Sequence, residues 1–568
     1  MSEIVDNLAK KSFDCEFYTP VPKGYKAGRT KYLVVTGSVI SGVGKGIFTS
    51  SMGSLLRCHG LNIAPIKFDG YLNCDAGTLN PFRHGEVFVL GDGTECDLDL
   101  GSYERFLNMD LTKDNYLTAG KIFREIIERE RAGKYLGRDV QFIPHVTGEI
   151  KRFLRTLAIK RKADVVLVEV GGTAGDLENA YFIEAMRELA YEEGRKNVCF
   201  VNVTYILEPS SLGEFKSKAA QLGLRTLMQL GIQPDITVCR SEKPIPKSVR
   251  EKISVFGNLP LERVINLPNC DNIYSVALDL KKKNIDKAVF DVLGIKARKN
   301  KDPILNFNNL RNFVRKIDNA ENEVEVAIVG KYTHLHDSYL SIIKALEHCR
   351  AHLKTKIKIR WVESTDVEEG KVRAGDALRG VDGLIVPGAF GKRGAEGMIK
   401  CVQYARENKI PYLGLCFGLQ VAVIEFCRNV LKIKKATSSE LVPETKDPVI
   451  HLMKEQEGIK ELGGNMRLGN YPAKIRKGTR VFGLYGKEDV VERHRHRWEV
   501  NPDYIERIEN EGMTFSGRSP DGRLMEFLEL EDHPYFVATQ AHPEFTSKPL
   551  RPNPLFMGLV KAMINKKG

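Results

Sequence analysis

The 568-residue sequence contains no CxxC pair and no long Lys/Arg tract. Nor does any apolar run approach the roughly 18 residues of a membrane span. Its 11 cysteines, at positions 15, 58, 74, 96, 199, 239, 270, 349, 401, 416 and 427, are odd in number and scattered. That argues against a disulfide framework and for a reducing, cytoplasmic setting. Residues 1–30 include Lys10, Lys11, Asp14 and Glu16 but no apolar core, so they do not read as a secretory signal. With 42% hydrophobic and 28% charged residues, 50 Gly and 24 Pro, the composition excludes a collagen, a coiled-coil rod and a wholly disordered chain. Charge leans basic, 86 Lys+Arg against 73 Asp+Glu. Because the basic residues are spread out, the bias suits an enzyme handling several anionic nucleotides better than a nucleic-acid binder.

What is present is alternation. Residues 1–30 are polar and aperiodic, an arm before the first strand at 32–36. A Gly-rich turn follows, then a helix that ends before Gly60. Further apolar runs at 165–170, 198–207, 236–239 and 264–267 are separated by helical patterns at 122–131 and 181–191. Such a sequence predicts an α/β domain on a largely parallel sheet. Residues 296–322 form a linker, in which Leu310, Phe313, Val314 and Ile317 fall at helical spacing. A second set of strands begins at 324–330 and continues at 383–387 and 411–415. The expected domains are therefore 31–295 and 323–568.

Residues Gly37 to Gly46 lie between the first strand and its helix and include Ser41-Gly42-Val43-Gly44-Lys45-Gly46. Closely spaced glycines let backbone N–H groups converge on phosphate oxygens, and Lys45 adds a mobile positive charge. Gly46 stands where an ordinary P-loop has the Ser or Thr that holds magnesium, so another anchor is needed. Asp99 and Glu169 are the candidates, hard oxygen ligands suited to Mg²⁺, with Glu169 closing an apolar strand.

In the second half, Gly414-Leu415-Cys416-Phe417-Gly418-Leu419-Gln420 turns an apolar strand sharply into a helix. This elbow presents a nucleophile at a helix N-terminus, where thiolate is favoured and amides can face an oxyanion. His542 in Gln540-Ala541-His542-Pro543-Glu544 is the candidate base, oriented by Glu544. His494 and His496 alternate with Arg493, Arg495 and Arg497. A cation would be repelled there, and the segment reads as a loop facing an anion or carboxylate.

Taken together these motifs resemble the CTP synthase family, from about residue 30 to the C-terminus. The second half alone resembles class I glutamine amidotransferases. The narrower likeness is carried by residues 41–46, 67–69, 84–89, 97–101, 103–106, 169–176, 231–235, 462–464, 466–469 and 491–497. The resemblance implies a P-loop-like parallel-sheet synthetase domain followed by an α/β glutamine amidotransferase domain. It implies ATP-dependent amination of UTP to CTP through a 4-phosphorylated UTP, with ammonia from glutamine hydrolysed at Cys416. It places ATP on Ser41, Gly42, Val43, Gly44, Lys45, Gly46 and Asp99, with Lys67 near the transferring phosphoryl group and Mg²⁺ on Asp99 and Glu169. UTP or product CTP falls to Ser41, Asp176, Glu178, Lys216, Lys218, Gln221 and Lys252. Glutamine falls to Ala389, Phe417, Gly418, Leu419, Gln420, Glu440 and Arg497, and a GTP-responsive lid to Arg393 and Glu396. A homotetramer, filaments, GTP activation and CTP feedback are further implications; nucleic acid and membrane are not.

The sequence also departs from the family. Ala389 stands where a second glycine is usual, so a positive φ there would cost about a kilocalorie or two. Gly70 and Ala76 replace prolines, and Ala219-Ala220 replace Pro-Thr in the UTP segment. The competing readings are a related amidoligase with another acceptor and a nucleotide-sensing filament subunit. The complete set Lys45, Asp99, Glu169, Cys416, His542 and Glu544 speaks against the second as a sole function.

Overall fold

The computed structural model describes residues 20–211, 213–453, 456 and 466–567. Cys15, most of the N-terminal arm and the 462–464 motif lie outside the described residues. The chain forms two compact units. The first comprises the chain to Asp75 together with Ser102–Arg311; the second comprises Ala76–Gly101 and Asn312–Gly568. Among the described residues no helix is long and apolar enough to cross a membrane. The ten described cysteines are all free.

The first unit is built on seven strands: β1 (Lys31–Gly37), β2 (Ile63–Asp69), β3 (Tyr116–Thr118), β4 (Val165–Val170), β5 (Val198–Tyr205), β6 (Ile236–Ser241) and β7 (Val264–Pro268). They lie in the order β3-β2-β4-β1-β5-β6-β7, and every pairing is parallel. A sheet covered on both faces needs apolar residues at consecutive positions, and β4 is buried throughout. One face packs Tyr32, Val34, Val166 and Val168; the other packs Leu33, Val35, Val165 and Leu167. The described end of the arm is not free. Tyr25 shares a hydroxyl hydrogen bond with Tyr32 at 2.8 Å, and Thr30 donates to the Ala163 carbonyl at 3.0 Å.

In the second unit, nine strands form one sheet: β8 (Asn322–Gly330), β9 (Thr355–Glu363), β10 (Gly383–Val386), β11 (Tyr412–Leu415), β12 (Arg467–Ile475), β13 (Asp489–His496), β14 (Met513–Arg518), β15 (Met525–Leu530) and β16 (Phe536–Thr539). Their order is β9-β8-β10-β11-β16-β15-β14-β12-β13. The first five are parallel, and an antiparallel run extends them. A single register row, Ile328–Ile385–Leu413–Val537, crosses the parallel part, and all four side chains are fully buried. The helix Phe307–Asp318 forms as its spacing predicts, with Leu310, Phe313, Val314 and Ile317 buried.

The segment around His494 and His496 is a buried strand, not the loop expected from its charges. Both histidines are 1% exposed. Each lies 3.5 Å from a carboxylate, His494 from Glu526 and His496 from Glu499, while Arg467 bridges both acids at 2.6 and 3.2 Å. The carboxylate-facing expectation fits this arrangement; the loop does not, because buried partners offset the desolvation that would otherwise keep such residues at the surface.

Candidate functional site

In the first unit, candidate residues collect at the carboxyl ends of parallel strands, where ligands of open α/β sheets bind. β1 ends at Gly37 and the loop enters its helix through Gly44, whose φ of 95° is left-handed and suits only glycine comfortably. Lys45 opens that helix; its buried ammonium donates to the Gly172 carbonyl at 2.6 Å. Ser41 and Gly42 are exposed, Val43 and Gly46 buried. On β2, Lys67 Nζ lies 3.5 Å from Glu169 Oε1 and 3.9 Å from Asp69 Oδ1. Glu169, 1% exposed on β4, also accepts from the Tyr103 hydroxyl. Asp99 is not in this unit: it belongs to the Ala76–Gly101 segment of the second, in the first turn of the helix Leu98–Leu107, its amide donating to Asp97 at 2.9 Å. Among the described residues no three His, Cys, Asp or Glu side chains cluster as a metal site. Glu169 nonetheless offers the hard oxygen that Mg²⁺ prefers.

The remaining nucleotide candidates occupy the same unit. Asp176 accepts from the Thr173 hydroxyl at 2.7 Å, and Glu178 lies in the short helix after it. Lys216 pairs with Glu214. Lys218 opens the helix Lys218–Gln229, in which Gln221 donates to Ser217 at 3.0 Å. Lys252 is exposed on the helix Lys247–Gly257.

In the second unit, Cys416 follows β11 with φ 52° and ψ −100° and caps the helix Phe417–Asn429. That strained backbone is the elbow its sequence predicts. The Leu419 N–H is taken by the Cys416 carbonyl at 3.0 Å, which leaves the first amides of the helix, those of Phe417 and Gly418, as the ones suited to an oxyanion. Gln540 Nε2 donates to the sulfur at 3.7 Å. Gln420, behind it, donates to the Trp498 carbonyl at 2.9 Å. His542 Nδ1 is bound to Glu544 Oε1 at 2.7 Å. Its Nε2 is buried with no hydrogen-bond partner among the described residues. Burial alone would depress the imidazole, but the Glu544 carboxylate and then the Cys416 thiolate outweigh it and raise the pKa to about 10.

Gly388, Ala389, Phe390, Arg495 and Glu86 line the cavity that holds Cys416 and His542. A Cβ on Gly388 would meet His542 Cε1 at 2.6 Å, so Gly388→Ala should displace the imidazole. We expect any reaction that uses Cys416 and His542 together to fall about 10²-fold, a misplacement effect, with chemistry in the first unit unchanged. Steady-state rates measured separately for the two units check it. Ala389 is absent from the left-handed residues, so the strain considered for alanine there does not arise. Glu440 accepts from Gly391 N–H at 2.6 Å. Burial raises its carboxyl, opposed by that bond and by Lys331. Arg497 lies between two strands, half-buried, and is not among the residues lining the cavity. Arg393 donates to the Lys331 carbonyl at 2.7 Å, while Glu396 pairs with Arg428 at 2.7 Å.

Sequence reasoning did not single out Lys331, Gln540 or Arg495 as site residues. Lys331 follows β8 at the strand's carboxyl end, the rule that selected Glu169 and the signal that would have found it.

Fold and site together define a class I glutamine amidotransferase unit joined to a phosphate-loop α/β unit. Residues 31–295 match the model of the CTP synthase N-terminus, and residues 334–562 that of glutamine amidotransferase class-I. A CTP synthase from Thermococcus gammatolerans is 52% identical over 539 residues, 95% of this chain and 99% of that protein. One from Caldanaerobacter subterraneus subsp. tengcongensis is 50% identical over 537 residues, 94% and 99% respectively. A solved Trypanosoma brucei CTPS glutaminase domain with bound acivicin is 36% identical, covering 43% of this chain and 94% of that chain at a TM-score of 0.40. The chain belongs to the CTP synthase family.

Proposed function

We propose that the chain makes CTP by ATP-dependent amination of UTP, using ammonia released from glutamine. The observation that carries this reading is the presence of both sets of groups in one chain: Lys45, Lys67 and Glu169 at the carboxyl ends of parallel strands, and Cys416 with His542 and Glu544 at an elbow. In this reading residues 31–295 form the synthetase domain, 296–322 link it onward, and 323–568 form the glutaminase.

Lys45 and the loop amides hold the ATP phosphates, and Lys67 neutralises charge on the group being transferred. Glu169 and, by resemblance, Asp99 supply oxygen ligands for Mg²⁺, which when bound would screen the phosphates. A pyrimidine 4-oxygen leaves readily only once phosphorylated, which gives ATP its part. Asp176, Glu178, Lys216, Lys218, Gln221 and Lys252 are assigned to UTP. In the glutaminase, Cys416 attacks the glutamine amide and His542, as imidazolium, gives its proton to the departing ammonia. Glu440 and Arg497 are assigned to the ammonium and carboxylate ends of glutamine, opposite charges for opposite charges. GTP activation through the Arg393 segment, CTP feedback, a homotetramer and a cytoplasmic setting complete the proposal.

The first test is CTP formation from UTP, ATP and Mg²⁺ with ammonium, and separately with glutamine plus GTP. CTP from both supports the reading; CTP from neither, with folded protein, sinks it.

A pH profile tests the triad. Because the His542 pKa is raised from 6.5 to about 10, stabilisation from its charge is complete below pH 6.5 and lost as pH rises through 10. Glutamine turnover should therefore hold to alkaline pH. Glu544→Gln removes the strongest raising charge and should move the alkaline limb of kcat/KM down by about a unit or more. An unmoved limb would remove Glu544 from this role.

A further inference from the structure

We infer that Lys331 is a positioning residue for glutamine hydrolysis, acting by locking the peptide between Phe390 and Gly391 in one orientation; this rests on the glutaminase reading above. Lys331 is 2% exposed, a place where an ammonium is costly without partners. Its hydrogen bonds go to two carbonyl oxygens, Phe390 at 2.8 Å and Gly391 at 2.6 Å, and its Nζ stands 5.5 Å from the centre of the Phe417 ring.

The Phe390 carbonyl and the Gly391 N–H belong to the same peptide group. In a trans peptide they point to opposite sides. The carbonyl meets the Lys331 ammonium while the N–H meets the Glu440 carboxylate at 2.6 Å. A buried ammonium and a half-buried carboxylate thus grip opposite edges of one peptide plane. Turning that plane over would aim the oxygen at a carboxylate and the N–H at an ammonium, and both contacts would be repulsive. Gly391 has φ 76°, so it lacks the side chain that would otherwise resist such a turn. The lock therefore has to come from charge. Three residues before Gly391, Gly388 stands against His542 and Cys416, so the setting of this loop reaches the reacting atoms. Burial, partly opposed by Glu440, also lowers the Lys331 pKa to about 8, consistent with a lysine kept for its place and not for solubility.

The test uses Lys331→Met and Lys331→Gln in the full chain. We expect kcat for glutamine hydrolysis to fall about 10²-fold in the methionine variant, with KM within about threefold and a smaller fall in the glutamine variant, whose amide NH₂ keeps neutral donors without the charge. Alkylation of Cys416 by iodoacetamide, which needs no aligned loop, should stay within about twofold, as should ammonium-dependent CTP formation. Hydrolysis within threefold of the unaltered chain would overturn the inference. So would a parallel loss of alkylation and ammonium-dependent synthesis, which would mark Lys331 as a general fold residue. An unaltered chain that fails to hydrolyse glutamine would instead bring down the reading on which the inference stands.

Discussion

Cys416→Ala is expected to abolish glutamine-dependent CTP formation while leaving the ammonium-dependent reaction at its original rate. The sulfur supplies the covalent route, and no other cysteine lines the cavity among the described residues. Loss of a nucleophile acting with its base typically costs 10⁴-fold or more, about 5–6 kcal/mol of transition-state stabilisation. Alanine is smaller than cysteine and helix-compatible, though it inherits the φ of 52° at the elbow. Folding should survive, and ammonium-dependent synthesis reports on that directly. Parallel assays with saturating glutamine and ammonium, plus free glutamate release, settle the matter. Loss with both nitrogen sources would mean that the two reactions are not separable in this chain.

Lys45→Ala should do the reverse, stopping CTP formation from either nitrogen source. Lys45 holds the loop to Gly172 and supplies the charge at the helix start. Its loss removes a cation from where phosphate charge gathers, an effect of roughly 10²–10³-fold. Glutamine hydrolysis measured without nucleotides should remain within about twofold, since Cys416 lies in the other unit. Isothermal titration with ATP provides a second readout, and unchanged ATP binding together with undiminished synthesis would take Lys45 off the list. Lys45→Arg is not a conservative rescue, because a planar fork does not replace a point charge in a loop this tight.

Local chemistry made some of this legible in the sequence. The first strand and its helix show themselves because an apolar run stops at glycines, and the elbow because Cys416 stands between two short-range patterns. The parallel core strands also read well, since burial on both faces writes a continuous apolar stretch. The antiparallel half of the second sheet did not. β13 carries Glu492, Arg493, His494, Arg495 and His496, which suggest solvent; most of their partners are distant in the sequence, Thr546 and Asn553 for Glu492, Val89 for Arg493, Glu526 for His494 and Glu95 for Arg495. Lys331 was hidden in the same way. A lysine after a strand looks like a surface charge until two carbonyls some 60 residues later close over it. Charged residues whose partners are remote leave no periodic mark.

The second unit includes Ala76–Gly101, and that has a consequence for the newly made chain. Arg493 donates to the Val89 carbonyl at 3.1 Å, and Arg495 reaches Glu95 at 2.8 Å. A ribosome adding about 5–20 residues per second needs roughly 20–80 s to get from the first member of these pairs to the second. During that interval the fragment has emerged without its seat, with Phe88 lacking the Phe545 ring it later meets at 5.0 Å. The glutaminase therefore cannot finish before translation is nearly over, and the nascent polypeptide carries a waiting apolar stretch that a chaperone is suited to shield.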